Sequence, residues 1–159
     1  MHARARIFLG ILAAGIATTT AAWAANNGYH GSLCTPTAQG NAVQLHFDKW
    51  GVRNISSTEA SVTCGAAPTV SSNVNKVEVA VFDKDPDADV CCTIFIQKLN
   101  GNPIASATKC SSGFSNLSQT LSYSPPVNAV GTMSMVCTIP AKNANGASGV
   151  ISYRVETNP

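Results

Sequence analysis

Cys91 and Cys92 stand side by side in a chain of six cysteines, and that pair constrains the fold more than any other feature. Successive side chains of a β-strand point to opposite faces. If the pair lies on a strand, its two members serve opposite sides of a sheet and need different partners. The flanking residues read as such a strand. Cys92, Ile94 and Ile96 share an apolar face expected to point into a core, whereas Cys91 shares a mixed outer face with Thr93, Phe95 and Gln97.

The next signal sets a register. Asn100-Gly101 favours a two-residue type I′ hairpin turn, because both residue types accept the positive φ it requires. With those two as the loop, Leu99 faces Asn102, Lys98 faces Pro103, and further out Cys91 faces Cys110. As a hydrogen-bonded pair their Cα atoms would lie about 5.5 Å apart, within reach of a disulfide. A three-residue loop would put Cys92 opposite instead. Pro103 has no N–H to donate, which marks its strand as a sheet edge.

Cys137 lies on the same apolar face as Met133, Met135 and Ile139 and so matches Cys92. Cys34 and Cys64 remain for each other. The predicted set is Cys34–Cys64, Cys91–Cys110 near the surface and Cys92–Cys137 in the core. A redox switch or soft-metal site at Cys91-Cys92 is the competing idea. Structural bridges fit better in an oxidising compartment, and no cluster of thiolates and histidines has zinc-ligand spacing.

The same alternation recurs along the chain in short runs broken by Gly, Pro, Asn and Ser. Strands are predicted over 43–47 (Val43, Leu45 and Phe47 on one face), 50–55, 59–64, 76–82 (Val77, Val79 and Val81 inward) and 91–97. Others are predicted over 104–109, around Leu117, Leu121 and Tyr123, over 133–139, and over 150–156 with Ile151, Tyr153 and Val155 on one side. Eight or nine short strands at intervals of roughly ten residues predict an all-β, antiparallel β-sandwich, with a small closed barrel as the alternative. Segments 25–31 and 142–148 read as surface tail and loop.

The N-terminus reads as an export signal over 1–24. Arg4 and Arg6 precede an apolar run over 7–16 that is too short to span a bilayer, and Ala22-Trp23-Ala24 supplies a cleavage site. No cysteine follows the cut for a lipid anchor, and no second apolar run of membrane length is present. Residues 25–159 are expected as one secreted or periplasmic domain with no membrane insertion. Arg4 and Arg6 account for the formal charge of +2, so the mature chain is near neutral. It has no basic stripe for nucleic acid.

Candidate sites are few. Asp83, Asp85, Asp87 and Asp89 alternate as the first ligands of a calcium loop would. Ala88 stands where such a loop needs glycine, and Ile94 where it needs glutamate, so a solvated turn fits better. Trp50, beside Asp48, Lys49 and Arg53, is the one candidate ligand-binding residue: a sugar-stacking platform, or a half-buried packing residue. His30 in the tail and His46 on an outward strand position give no fixed base, and no serine sits in a nucleophile elbow. Glu59, Glu78 and Glu156 read as solvated rather than paired across a cleft. Asn54-Ile-Ser56 and Asn116-Leu-Ser118 match the glycosylation sequon.

Across the chain, Cys34-Thr-Pro36, Gly51-Val-Arg-Asn54, Val62-Thr-Cys64, Val79-Ala-Val81-Phe82-Asp83, Cys92-Thr, Cys137-Thr-Ile-Pro140 and Ile151-Ser-Tyr-Arg-Val155 follow in order. This series resembles small exported β-rich proteins of proteobacteria and myxobacteria. The resemblance implies a secreted bacterial domain and carries no activity or catalytic residue. In that group Cys91 and Cys110 are not always present, which fits their pairing with each other. The expected function is non-catalytic: binding of an unknown ligand, glycan or protein at the cell surface or outside it, without a cofactor. A structural subunit of a surface fibre or coat is the alternative, weakened because the tail over 25–33 lacks the alternation of a donor strand. An enzyme is less expected still.

Overall fold

The computed structural model describes residues 25–65, 73–98, 100–124 and 132–158; the predicted leader lies outside them. Among the described residues eleven strands are present: β1 Ala25–His30, β2 Thr35–Pro36, β3 Leu45–Asp48, β4 Gly51–Asn54, β5 Ala60–Gly65, β6 Asn73–Phe82, β7 Cys91–Gln97, β8 Pro103–Cys110, β9 Gln119–Tyr123, β10 Thr132–Ile139 and β11 Gly149–Asn158. Sheet I has the order β3-β4-β11-β6-β9, with β1 also on β11. Sheet II has the order β2-β5-β10-β7-β8. Every pairing is antiparallel. Two separate sheets make this a sandwich rather than a closed barrel.

Period-two alternation sets the core wherever the strands are regular. Val77, Val79 and Val81 of β6 are buried against Val62 of β5, Ile94 and Ile96 of β7 and the row Met133, Met135, Ile139 of β10. Branched and unbranched aliphatics facing each other across the layer give the close packing that such a core requires.

The disulfides join Cys34 to Cys64, Cys91 to Cys110 and Cys92 to Cys137, the pairs expected from strand parity, the hairpin register and elimination. Cys92 faces Cys137 across β7 and β10, and Cys91 faces Cys110 across β7 and β8. The Cys91–Cys110 Cα separation is 4.0 Å, so this is the closer, non-hydrogen-bonded kind of pair and not the wider kind expected. Cys92 and Cys137 are fully buried, and Cys110 is exposed.

The hairpin reaches its register by a different route. The Gly101 N–H donates to the Lys98 carbonyl and the Lys98 N–H to that of Asn102, both at 2.8 Å. Gly101 has φ +83°, while Asn100 is not left-handed. This is a three-residue loop instead of a type I′ turn. By itself it would displace the cysteines by one position. A bulge at Ile104 inserts one extra residue into β8 between the Gln97↔Pro103 and Ile96↔Ala105 pairs and restores the alignment.

Four other expectations are corrected. Residues 25–30 are β1, paired to β11 along its length, rather than a free tail. Backbone hydrogen bonds, which need no side-chain alternation, hold this polar segment. The strand expected from Val43 starts at Leu45, because Gln39–Gln44 coils as a 3-10 helix and leaves Val43 84% exposed. Leu117 precedes β9 in a loop and is 77% exposed. In β11 a register break between Val150 and Ser152 puts Val150, Tyr153 and Val155 in the core and leaves Ile151 partly exposed.

That break sits where β11 changes partner from β4 to β1. Two chain segments crowd the Val150 carbonyl there. A Cβ on Gly51 (φ +112°) would lie 2.1 Å from the Val150 oxygen, and one on Gly31 2.3 Å. Glycine is required at both by close backbone approach, and at Gly51 also by conformation.

Candidate functional site

The hairpin β3–β4 closes through Lys49-Trp50, since Asp48 pairs with Gly51. The Trp50 N–H donates to Asp48 Oδ1 at 2.7 Å, and the Arg53 guanidinium forms an ion pair with Asp48 Oδ2. His46 Nε2 lies 3.6 Å from the same carboxylate. The Trp50 amide, with Arg53 and His46, holds the Asp48 carboxyl below the usual carboxylate range. His30 braces the turn from β1. Its Nδ1 accepts from the Ser32 N–H at 3.2 Å, which leaves Nε2–H to donate to the Lys49 carbonyl at 3.1 Å. His30 is therefore a fixed structural contact, not part of a loose tail.

The result is an indole presented at a hairpin tip, 55% exposed, with the Lys49 ammonium 5.3 Å from its ring. Trp50, Arg53, Phe82, Lys84 and Ala147 line a groove of about 280 Å³. Arg53 Nε itself is closed to solvent and has no hydrogen-bond partner among the described residues, so only the rest of its guanidinium can face the groove. The Lys84 ammonium donates to the Ser115 carbonyl and to Asn116 Oδ1, both at 3.0 Å, and lies 5.4 Å from the Phe114 ring. It straps the 113–116 loop beside the groove. A flat aromatic face beside fixed cations suits a polar ligand with an apolar face.

The aspartates do not converge. Asp83 is fully buried at the end of β6, accepting from the Ser111 hydroxyl, the Ser148 hydroxyl at 3.3 Å and the Asp85 N–H at 3.0 Å. Asp85 accepts from the N–H groups of Asp87 at 2.9 Å and Ala88 at 3.3 Å, and Asp89 from that of Gly113 at 2.8 Å. Three of the four carboxylates thus bind the loop's own surroundings. Among the described residues no group of three or more His, Cys, Asp or Glu side chains is placed to share a metal ion. The expectation of a solvated turn fails at Asp83, which lies inside.

Of the two sequons, Asn54 is fully buried. Its amide donates to the carbonyls of Thr58, Ile139 and Pro140 at 2.7, 3.1 and 2.9 Å. It joins β4 to the end of β10 and is closed to modification, whereas Asn116 is exposed. Glu78 pairs with Lys76 and Arg154 on the outer face of sheet I, and these contacts lower its carboxyl pKa. His46 is exposed, as expected.

No protein-family model and no curated protein sequence matches the chain. Solved structures do. The CBM36-1 domain of a multidomain xylanase from the hindgut metagenome of Trinervitermes trinervoides is similar over 82% of this chain and 96% of that one, with TM-score 0.52 and 10% identity. A low-affinity xylan-binding module, CBM86 from Roseburia intestinalis, covers 84% and 96% at TM-score 0.49 and 12% identity. Carbohydrate-binding module CBM36 in complex with calcium and xylotriose covers 80% and 97% at TM-score 0.47 and 10% identity. At such identity, the likeness to the xylanase domain establishes that the chain has that domain's β-sandwich fold.

Proposed function

We propose that this chain is a non-catalytic, exported glycan-binding domain that holds its ligand in the Trp50–Arg53 groove. The observation that carries the reading is an exposed indole sharing a groove with the part-exposed Arg53 guanidinium. A pyranose ring has an apolar C–H face that packs on an aromatic ring, and hydroxyl oxygens at its edge that accept hydrogen bonds. Trp50 meets the first need and Arg53 the second. The similar xylanase domain lends support, since its name is that of a carbohydrate-binding module. Three disulfides fit an oxidising compartment, secreted or periplasmic.

Affinity electrophoresis through gels containing xylan, mixed-linkage glucan or galactomannan tests the reading. At least one polysaccharide should retard the wild type, and Trp50→Ala should abolish the shift. Removing an aromatic on which a nucleobase stacks costs about 1–3 kcal/mol, and a loss of like size would abolish a weak glycan complex. No retardation by any polymer, an unaltered Trp50→Ala, or release of reducing ends would overturn it.

A further inference from the structure

A second cavity lies on the flank of the sandwich, where the edge strand β8 of sheet II faces the edge strand β9 of sheet I. Ala105, Ala107 and Lys109 lie opposite Ile96, Ile94 and Cys92, so they occupy the inward parity of β8. Alanine is too short to fill the space there, and a slot of about 320 Å³ remains. The slot opens to solvent past the exposed Ala107 and Lys109, and its volume falls at the lower end of small-ligand pockets, about 300–1,000 Å³.

Ile94, Ala105, Ala107 and Tyr123 make the apolar walls, and Ser106 and Ser124 add hydroxyls. The Tyr123 hydroxyl is already committed to the Cys92 carbonyl at 2.7 Å, so the ring presents its face and not a free donor. Among the described residues one charge lines the slot. The Lys109 ammonium lies 5.9 Å from the Tyr123 centroid, with no carboxylate partner among the described residues. A methylene chain suits the walls, and an anionic end answers the lone cation.

We infer that the slot between β8 and β9 binds a short, free alkyl carboxylate, its chain against Ile94, Ala105 and Ala107 and its carboxylate on Lys109. The site is separate from the Trp50 groove. Octanoate and octanol are the probes, followed by calorimetry and by the Ile94 methyl and Tyr123 ring resonances. Octanoate should shift both resonances in the wild type. Ala107→Leu, which fills the slot, should weaken binding by more than about tenfold, and Ala105→Val in the same direction. Two filling variants are used so that a folding defect in one does not remove the test. Lys109→Gln should weaken octanoate about two- to fivefold, as expected for an exposed ion pair, and leave octanol unchanged. Trp50→Ala should bind octanoate normally, so the two sites can fail independently. Absence of octanoate binding to the wild type, equal binding by the filled variants, or an equal effect of Lys109→Gln on octanol would overturn the inference.

Discussion

The two sheets are held together by different means. All three disulfides lie within sheet II, linking β2 to β5, β7 to β10 and β7 to β8. Sheet I has none. It relies on the buried rows of β6 and β11, on the stacked pair Tyr29–Tyr153 with centroids 5.1 Å apart, and on outer ion pairs. Between the sheets run hydrogen bonds. Tyr123 reaches the Cys92 carbonyl, Tyr153 that of Gly65, Asn54 those of Ile139 and Pro140, and Asp83 the Ser111 hydroxyl.

The difference follows from what each edge strand buries. β2 has two residues, and β8 buries no residue fully. Neither can be anchored by apolar area, and each carries or adjoins a cysteine that ties it to its neighbour. The edge strands β3 and β9 of sheet I bury Leu45 and the pair Leu121 and Tyr123, whereas β1, also at an edge of sheet I, is held by backbone pairing along β11 and by the Tyr29–Tyr153 stack. The Trp50 groove belongs to the unstapled sheet.

Removing the bridge of two central strands should produce the largest loss. The double variant Cys92→Ala/Cys137→Ala opens a disulfide spanning 45 residues and leaves space in the core. A loss of about 4 kcal/mol is expected in denaturant unfolding. Cys91→Ser/Cys110→Ser should cost less, about 3 kcal/mol at most. Its loss should appear first as faster amide exchange in β8, because that strand has little else to hold it. Exchange spread evenly over both sheets would show that the cross-link does not serve the edge.

Next in size is a change in sheet I. Gly51→Ala sets a Cβ against the Val150 carbonyl at a left-handed φ, and should lower stability by about 2 kcal/mol or more. Thermal unfolding measures it. An unchanged midpoint would mean that the β4–β11 junction yields, and that sheet I is the softer layer.

A pH effect probes the bonds between sheets. Burial pushes the Tyr123 hydroxyl up to about 12 from an unfolded value of 10.0. The unfolded chain then loses this proton first, so the stabilisation is complete below pH 10 and is lost as pH rises towards 12. Tyr123→Phe should flatten that alkaline decline, followed by circular dichroism. The neighbouring Tyr153 is raised in the same sense by burial and by Tyr29, so a residual slope is expected.

Glu78→Gln should have the smallest effect. Its partners Lys76 and Arg154 lie on the solvent side of sheet I, where water and salt screen the pair. The melting midpoint at 0.15 M salt should not move measurably. A clear drop would mean that ion pairs stand in for disulfides in this sheet.

What the sequence determined by itself is whatever depends on local parity. The adjacent cysteines had to face opposite ways, and Val77 to Val81 and Met133 to Ile139 had to present one face; the pairing of Cys91 with Cys110 needed a hairpin register as well, and the type I′ turn expected to set it is replaced by a three-residue loop and a bulge. Trp50 was legible as a candidate for the site. Its exposure was not, because a two-residue turn and a strand start read alike without the Asp48 and His30 contacts that fix it. Arg53, Phe82, Lys84 and Ala147 meet at the groove from separated parts of the chain, and no spacing announces that. The tertiary structure alone decided that polar segment 25–30 pairs with β11, that bulges at Ile104 and beside Ile151 reset the register, and that Asn54 and Asp83 go inside. Each of these depends on a partner far along the chain. A buried amide or carboxylate is tolerable only when distant donors and acceptors meet it, and a sequence of side-chain directions does not specify that meeting.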